Sequence, residues 1–500
     1  MQAVIDVIAK VNGFLNDIVW GWPAIVMILG TGIILTIRTK CIQVRKFGES
    51  FNGTIVKTIK DSTKKGRIRD KNKISPFAAF ASAISGTVGT GNIIGVSSAI
   101  LTGGPGAVFW MWVSAFFGMV TNYAENVLGL YYRKRDRDGN FRGGAFYYIA
   151  YGIKWKWLAY LAAVFCMIAA IGMSGVQTNK ISGTLVNAFQ TDSIVVKLMI
   201  GIVVAVLVAI IILGGIKRIS TVATLLVPFM SLIFIVLAIV AICMHITALP
   251  TAVALIFKSA FTFKSASGGI LGYAMATVIR KGMARGVFSN EAGLGSSVIA
   301  HSATDNREPV KQGLWGIFEV FFDSFIVCTL TAFLILTSFS VEELNAFSVI
   351  DGADSQVAMQ AFSGNFGLIG TICFSIILPL FAFTTILAWA YYGEKATEFL
   401  FGGLKGNGTK IAVWVFKILY VLLIVFSAVI SSELVWDISD TANGLMALPN
   451  LIAVILLSGV VVKITKNYYD RKKGVDVKAM LSAYPEQNDE FIEYEKNNSN

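Results

Sequence analysis

Charge is what this 500-residue chain has least of: Asp, Glu, Lys and Arg make up 14% of it, against 55% hydrophobic residues and a mean hydropathy of +0.69. A soluble surface needs about a quarter charged residues, so a soluble enzyme, a nucleic-acid-binding module and a disordered scaffold are excluded. Most of the chain belongs in lipid. Cysteine is scarce as well: of five, Cys166, Cys243, Cys328 and Cys373 sit inside apolar runs, where a thiol behaves as a small hydrophobe, and no disulfide framework follows. Two histidines, His245 and His301, are too few and too far apart for a His-based metal cluster. The first stretch lacks a basic n-region and carries Asp6 and Asp17, so it reads as an amphipathic interfacial helix rather than a cleaved signal peptide.

Apolar stretches long enough to cross roughly 30 Å of hydrocarbon occur eleven times, near 20–37, 76–101, 107–132, 157–179, 194–215, 221–246, 267–303, 313–339, 364–392, 411–431 and 444–463. The two-residue alternation of strands is missing, which makes the fold an all-α membrane bundle and not a barrel. Loop charge sets the orientation. The linker 38–75 holds twelve Lys/Arg against three acids and is therefore expected in the cytoplasm, with the N-terminus outside and the C-terminus inside. Loops 133–142, 217–218 and 306–311 and the tail from Lys463 then also fall inside, while Glu342, Glu343, Asp351, Asp354, Glu433, Asp437 and Asp440 fall outside. The net charge of +12 thus reflects positive-inside loops facing anionic headgroups, not nucleic acid; no aromatics interleave the densest part of the basic run, 57–73. Four units follow: 1–75 (interfacial helix, extra span, basic linker), 76–246, 267–463, and a polar tail 464–500 expected to be disordered.

Two spans are abnormal. The second carries Ser85-Gly86-Thr87-Val88-Gly89-Thr90-Gly91-Asn92-Ile93-Ile94-Gly95 at its centre, and each glycine weakens a helix by about 1 kcal/mol relative to Ala. A break is expected there, and broken backbone at membrane depth survives only where it lines a protein-enclosed or watery cavity. The spacing superficially matches a dinucleotide fingerprint, but no strand precedes it. Close helix packing is the plainer alternative; Thr87, Thr90 and Asn92 add polar groups that packing does not require. The seventh span contains Gly268, Gly269, Gly272, Gly282, Gly286, Gly293 and Gly295, with Arg280, Lys281, Arg285 and Glu291 inside it. Charges at depth need a cavity or partner, so this span should be broken too. Interrupted spans five apart are the expected mark of two inverted five-helix repeats, 2–6 and 7–11, meeting at a midplane site, with span one an addition.

The segments 85–95, Ala124-Glu125, Tyr132-Arg133, Gly143-Gly144-Ala145-Phe146-Tyr147-Tyr148, Phe288-Ser289-Asn290-Glu291-Ala292-Gly293-Leu294-Gly295-Ser296, Ala300-His301 and Glu319-Val320-Phe321-Phe322-Asp323 together resemble the alanine or glycine:cation symporter family, from about span two to span eleven. The resemblance implies a leucine-transporter-like fold and sodium-coupled uptake of small neutral amino acids across the cytoplasmic membrane. One motif departs. Where the family commonly has Gly-Asn-x-x-Gln-Ala-Asn, this chain reads Gly172-Met173-Ser174-Gly175-Val176-Gln177-Thr178-Asn179, so Gln177 is kept and the first Asn is Met173.

An alanine zwitterion in a dry site needs donors for its carboxylate and acceptors for its ammonium. Amides at Gly89, Thr90, Gly91 and Asn92, opening a half-helix, supply donors and a positive dipole end. The hydroxyls of Thr87 or Thr90 and the Asn92 side chain add bonds. Gln177 can accept from the ammonium or serve as an interhelical tie; the resemblance favours the former. For a cation, the adjacent hydroxyls Thr384 and Thr385, the Phe381 carbonyl one turn earlier and the carbonyls of Gly86 and Val88 offer hard oxygen ligands; the plainer alternative is that the two hydroxyls only bond their own i−4 carbonyls. This set resembles the most widely shared sodium site of the leucine-transporter fold. Trp389, four residues after Thr385, is expected as an apolar lid over the side chain, and Phe288 as an aromatic wall; a lipid-facing Trp389 is the alternative. Glu319 and Asp323 lie four apart in span eight, with Arg280, Lys281 or Arg285 as expected partners in a buried ion-pair network and a second cation or proton site at Asp323 as the sharper reading.

The sequence is thus read as a sodium-coupled symporter importing alanine or glycine, with a proton-coupled symporter, a channel and a membrane-embedded enzyme as rivals. One Na⁺ carried with a neutral zwitterion moves a single positive charge, worth about 2.3 kcal/mol per 100 mV. An enzyme would need a nucleophile with a base, and the sequence offers no evident His–carboxylate constellation.

Overall fold

A computed structural model describes residues 2–56, 58, 74–136, 139–191, 193–261, 270–350, 352–430 and 432–498. Eight cations of the basic linker, from Lys57 to Lys73, lie outside the described residues, as do Gly268, Gly269 and Asp351. Among the described residues nine helices are long and apolar enough to cross a membrane, or ten if the bent pair Pro76–Thr87 and Thr90–Gly103 counts as one span. The segment expected as the seventh span is the helix Ile270–Asn290 followed by Ser297–Ser302; its charged residues keep it out of that count.

Position in the bundle follows composition. Ile194–Ile212 and Gly408–Ser427 carry apolar side chains all round and are only 22% and 17% buried, so they form its outer wall with Ile202, Val206, Trp414 and Ile418 exposed. Gly106–Tyr131 carries Asn122, Glu125 and Asn126 and is 67% buried at the centre. Polar groups in lipid are costly, and this sorting hides them against other helices. The Ala353–Leu400 helix packs against Lys156–Ala188 and bends at Gly367, whose φ of 57° and ψ of −135° are not helical.

Small residues set the closest approaches. A Cβ on Gly316 would stand 2.5 Å from the side chains of both Asn122 and Asn126, so the helix Pro309–Val320 touches Gly106–Tyr131 at a point where only glycine fits. Beyond Val320 the same helix widens into π-helical turns over Phe321–Cys328, which carry Asp323.

Two expectations need correction. The tail does not read as disorder: the helix Ser458–Lys472 continues past the apolar run, and a second helix, Pro485–Asn498, folds back with Phe491 fully buried. Its composition is polar, but Leu481 and Phe491 are enough to seat it. The helix Gln2–Val19 is also more than an interfacial segment, since Asn16 donates to Thr441 (3.2 Å) and the Trp20 indole to the Asp440 carbonyl (2.9 Å), fixing it along Ser432–Leu456.

Replacing Gly316 by Val should lower the melting temperature in detergent, with an overpacking cost of about 1–3 kcal/mol. Gly364→Val, at a position with open space around it, serves as the control in the same thermal-shift measurement.

Candidate functional site

Both abnormal spans are broken. In the first, Pro76–Thr87 stops at Val88, a single 3₁₀ turn covers Thr90–Asn92, and Ile94–Gly103 restarts at a 57° bend. In the second, Ile270–Asn290 ends at Glu291, which adopts φ 54°, and Gly293 and Gly295 also have positive φ before Ser297–Ser302 begins. A left-handed non-glycine residue costs about 1–2 kcal/mol, and here the surroundings hold it: Ser296 Oγ donates to Glu291 Oε2 at 2.5 Å, and the Leu294 amide to the Glu291 carbonyl at 3.0 Å.

The residues of the first break are buried in protein, and the hydrogen bonds around the two breaks fall into three arrangements. At the first break the Gly89 amide donates to Asn92 Oδ1 at 2.9 Å and the Thr90 amide to Gln177 Oε1 at 3.4 Å. The Thr385 hydroxyl lies 3.0 Å from both the Ser85 and Phe381 carbonyls, and Thr384 Oγ1 is 3.0 Å from the same Phe381 carbonyl. A Cβ on Gly89 would stand 2.5 Å from Thr385 Oγ1, so glycine alone lets the long helix come this close. At the second break Asn450 donates to the Gly293 carbonyl (2.8 Å) and to Glu125 Oε1, while Tyr148 donates to Asn450 Oδ1.

Asp323 joins the two breaks. Its carboxylate accepts from Asn92 Nδ2 of the first, from Ser289 Oγ of the second (2.9 Å) and from Ser324 Oγ (2.9 Å). Asn290 Nδ2 adds a bond to Ser324 Oγ at 3.0 Å. This side chain is fully buried, and its bonds come from neutral donors. The expected cationic partners are elsewhere: Arg285 pairs with Asp440 at 3.0 Å and Arg280 with Asp17 at 3.1 Å. Arg280 lies at the middle of Ile270–Asn290 and Arg285 one turn before Ser289, and these pairs commit them to acids other than Glu319 and Asp323. Glu319 pairs instead with His301 at 2.7 Å, and Gln312 Nε2 lies 2.6 Å from His301 Nδ1. Asn306 Nδ2 donates to Gln312 Oε1 at 3.2 Å, which orients the amide so that His301 Nδ1 accepts and Nε2–H donates to Glu319. A His–carboxylate pair therefore exists although the two residues are 18 apart in sequence; among the described residues no hydroxyl or thiol is hydrogen-bonded to His301.

The other expected site residues fall as follows. Phe288 lies against Gly91, 3.5 Å from where a Cβ would be, and meets Trp436 in a tilted contact at 5.2 Å between ring centres. Thr87 spends its hydroxyl on the Ile84 carbonyl at 3.3 Å, so it offers backbone only, whereas Thr90 Oγ1 is buried without a hydrogen-bond partner. Asn92 is used up in holding Gly89 and Asp323. Gly86 packs on Tyr392 and Ala388 rather than on the Thr384–Thr385 pair, and Val88 closes its helix by donating to Ile84. The carbonyl beside Thr385 is that of Ser85, one residue before the expected pair. Trp389 is fully buried and meets Tyr392 edge-on at 5.4 Å, which excludes a lipid-facing belt role. Met173, in the place of the family's Asn, accepts from Asn443 Nδ2 at 3.3 Å. Among the described residues no group of three or more His, Cys, Asp or Glu could hold a metal ion, so oxygen ligands from hydroxyls and backbone are what the breaks offer a cation.

Two interrupted helices crossing at buried hydroxyls and freed carbonyls are the architecture of an ion-coupled carrier, and residues 5–480 match the model of the Sodium:alanine symporter family. The chain belongs to that family. This family member is 40% identical over 474 residues to the sodium/alanine symporter AgcS of Methanococcus maripaludis, covering 94% of this chain and 98% of the relative. It is 38% identical over 465 residues to the amino-acid carrier protein AlsT of Bacillus subtilis, covering 92% of each. Its fold is that of the leucine-transporter class: the crystal structure of MhsT in complex with L-phenylalanine superposes with a TM-score of 0.53 at 14% identity, covering 78% of this chain and 97% of that one.

Asn92→Ala removes the acceptor of the Gly89 amide and a donor of Asp323 together. Net hydrogen bonds to charged groups contribute about 1.5–3 kcal/mol, so substrate affinity in this variant should fall at least tenfold, read as the concentration for half-maximal uptake, with thermal unfolding separating this from loss of fold.

Proposed function

We propose that this chain imports small neutral amino acids, alanine and glycine among them, together with Na⁺ by alternating access. The observation that carries this reading is the convergence of Thr384 Oγ1, Thr385 Oγ1 and the Phe381 and Ser85 carbonyls beside the first break, within one residue of Gly86. Four neutral oxygens at one point suit a weakly held monovalent cation that must also leave. The hydroxyl hydrogens now satisfying the two carbonyls turn away when the cation takes their place.

The substrate carboxylate meets the amides of Gly91 and Asn92 and the free Thr90 hydroxyl; its ammonium turns toward Gln177 and the negative field of Asp323. Phe288 supplies the outer aromatic wall. Trp389 lies one turn beyond Thr385 and forms the floor that limits side-chain size. Asp323, bonded to both breaks, gives the site a fixed negative charge that a positively charged guest neutralises, and Asn92 with Ser289 makes it a second cation seat.

The end of the bundle carrying 133–142, 214–217, 303–308 and 458–498 is cytoplasmic on this reading, because it gathers the basic loops, and the chain spans the cell membrane with its N-terminus outside. The units 76–246 and 267–463 are the two inverted repeats, each led by its broken helix. This arrangement supports a carrier over a channel, since the site is closed at both breaks by packed side chains.

Labelled alanine should accumulate in proteoliposomes only under an inward Na⁺ gradient, with saturation; uptake that follows a proton gradient and ignores Na⁺ overturns the coupling. The Thr384→Val, Thr385→Val double variant should raise the Na⁺ concentration for half-maximal uptake at least tenfold, about 1.4 kcal/mol, and an unchanged Na⁺ dependence places the cation elsewhere. Trp389→Ala should let valine and leucine compete with alanine, and an unaltered competition profile across glycine, alanine, valine and leucine removes Trp389 from the pocket.

A further inference from the structure

A cavity of about 340 Å³ opens at the end of the bundle read above as cytoplasmic, lined by Ile74, Lys217, Asp305, Tyr391, Glu394 and Tyr494 among others. Its position is telling. Ile74 is at the foot of the first broken helix, Asp305 follows the second, and the Asp305 amide donates to the Ile74 carbonyl at 2.8 Å, tying the two feet together. Tyr391 and Glu394 are on the long helix that carries Thr384 and Thr385; nine or so residues of helix put the cavity roughly 14 Å below the cation oxygens. The side chains between them, Ala388 and Tyr392, pack on Gly86. The cavity is thus the mouth of the path from the site toward the cytoplasm.

Tyr494, on its wall, belongs to the C-terminal helix. That helix sits on the mouth through a set of contacts built for it. Arg133, fully buried just past Gly106–Tyr131, donates to the carbonyls of Ser302, Thr304 and Asn306 at 3.1, 2.6 and 2.5 Å, so it caps the inner half of the second broken helix and the chain that follows. Phe141 covers the guanidinium from one side at 3.7 Å, and Phe491 of the C-terminal helix stands 5.8 Å from it. Arg307 lies 3.1 Å over the Tyr494 ring, and Arg135 pairs with Glu490 at 2.7 Å. Before the helix, the Ala483 amide donates to the Tyr131 carbonyl and the Tyr484 hydroxyl to the Tyr132 carbonyl. The segment 485–498 carries five acids and one lysine, and Arg133, Arg135 and Arg307 lie against its Glu490, Phe491 and Tyr494.

We propose that the C-terminal helix Pro485–Asn498 is an autoinhibitory lid on the cytoplasmic exit, held by Phe491 on Arg133 and Tyr494 on Arg307, which slows inward opening by keeping Arg133 on the last carbonyls of the second broken helix. The helix is docked by complementary charge, so raised salt on that side weakens it. Lifting it exposes Arg133 to water, frees the Ser302–Asn306 segment and uncovers the cavity.

The inference rests on the transporter reading and its orientation, and the test separates them. The full chain with Ala303→Cys, a position lining the cavity, is labelled with a membrane-impermeant maleimide in inside-out and right-side-out vesicles, each against the parent chain, and compared with the same chain ending after Tyr484 and with Phe491→Ala. Both altered chains should label at least fivefold faster from the cytoplasmic face and reach a higher maximal alanine uptake at an unchanged half-saturating alanine concentration. Labelling from the opposite face alone overturns the orientation. Equal labelling and uptake in all three chains overturn the lid while leaving the transporter reading intact. Altered chains that stay folded by thermal shift but lose uptake show a brace, not a lid, and overturn it too.

Discussion

Breaking a helix inside a membrane frees backbone amides and carbonyls that lipid cannot satisfy, and the rest of this structure is arranged around two such breaks. Several freed groups are answered by side chains from other helices, Gln177 for Thr90, Thr385 for Ser85 and Asn450 for Gly293, while Asn92 within the first break answers Gly89. These are the bonds a ligand can exchange with, because they are the ones not fixed by helical geometry. Asp323 is the point where the two breaks are held to each other. The π-helical turns over Phe321–Cys328 bring its carboxylate to Asn92 and Ser289 at once, so a change at either break is felt at the other through one residue.

The fold was legible in the sequence because hydropathy and glycine density report directly on membrane physics. The breaks at 87–93 and 291–296 follow from glycine where helix is required and from charge where lipid is expected. Gln177, Thr384 and Thr385 were expected beside the first break and Phe288 at the start of the second, and they lie there, with Phe288 also against Gly91; their roles in binding are what is proposed. The Ser85 carbonyl was missed, because a backbone oxygen leaves no trace in residue identity and its place depends on the exact residue at which the helix stops.

Ion-pair partners were the least legible part. Arg280 and Arg285 lie within one span of Glu319 and Asp323 by order along the chain, but the helix Ile270–Asn290 turns them toward Asp17 and Asp440, while Asp323 on the π-helical segment is bonded to Asn92 and Ser289. Arg285 therefore meets Asp440, far off in sequence, and Glu319 meets His301. The tail was misread for a related reason. A polar composition forecasts disorder only when nothing offers a seat, and Arg133, buried with Phe141, offers one that two apolar side chains can fill.

The two ends of the bundle are closed by different chemistry, and this bears on how it alternates. At the outer end on the reading above, Arg285 lies between Asp440 and the tilted rings of Phe288 and Trp436, and Lys180 ties the long helix through Asp354 and Ser355. These are ion pairs and ring contacts between side chains, which can part and reform without disturbing backbone bonds. At the other end Arg133 holds backbone carbonyls, and the feet of the two broken helices are hydrogen-bonded to each other. Opening there costs more bonds per step, because each carbonyl released must find water. On that reading the carrier rests closed toward the cytoplasm unless a bound guest alters the balance, and one face of the long helix links the two regions, with Thr385 against Gly89 beside the proposed cation oxygens and Ala388 and Tyr392 against Gly86. If Thr384 and Thr385 hold the cation as proposed, its occupancy and the closure at that end are coupled through the part of the long helix that follows its bend at Gly367, rather than through the substrate alone.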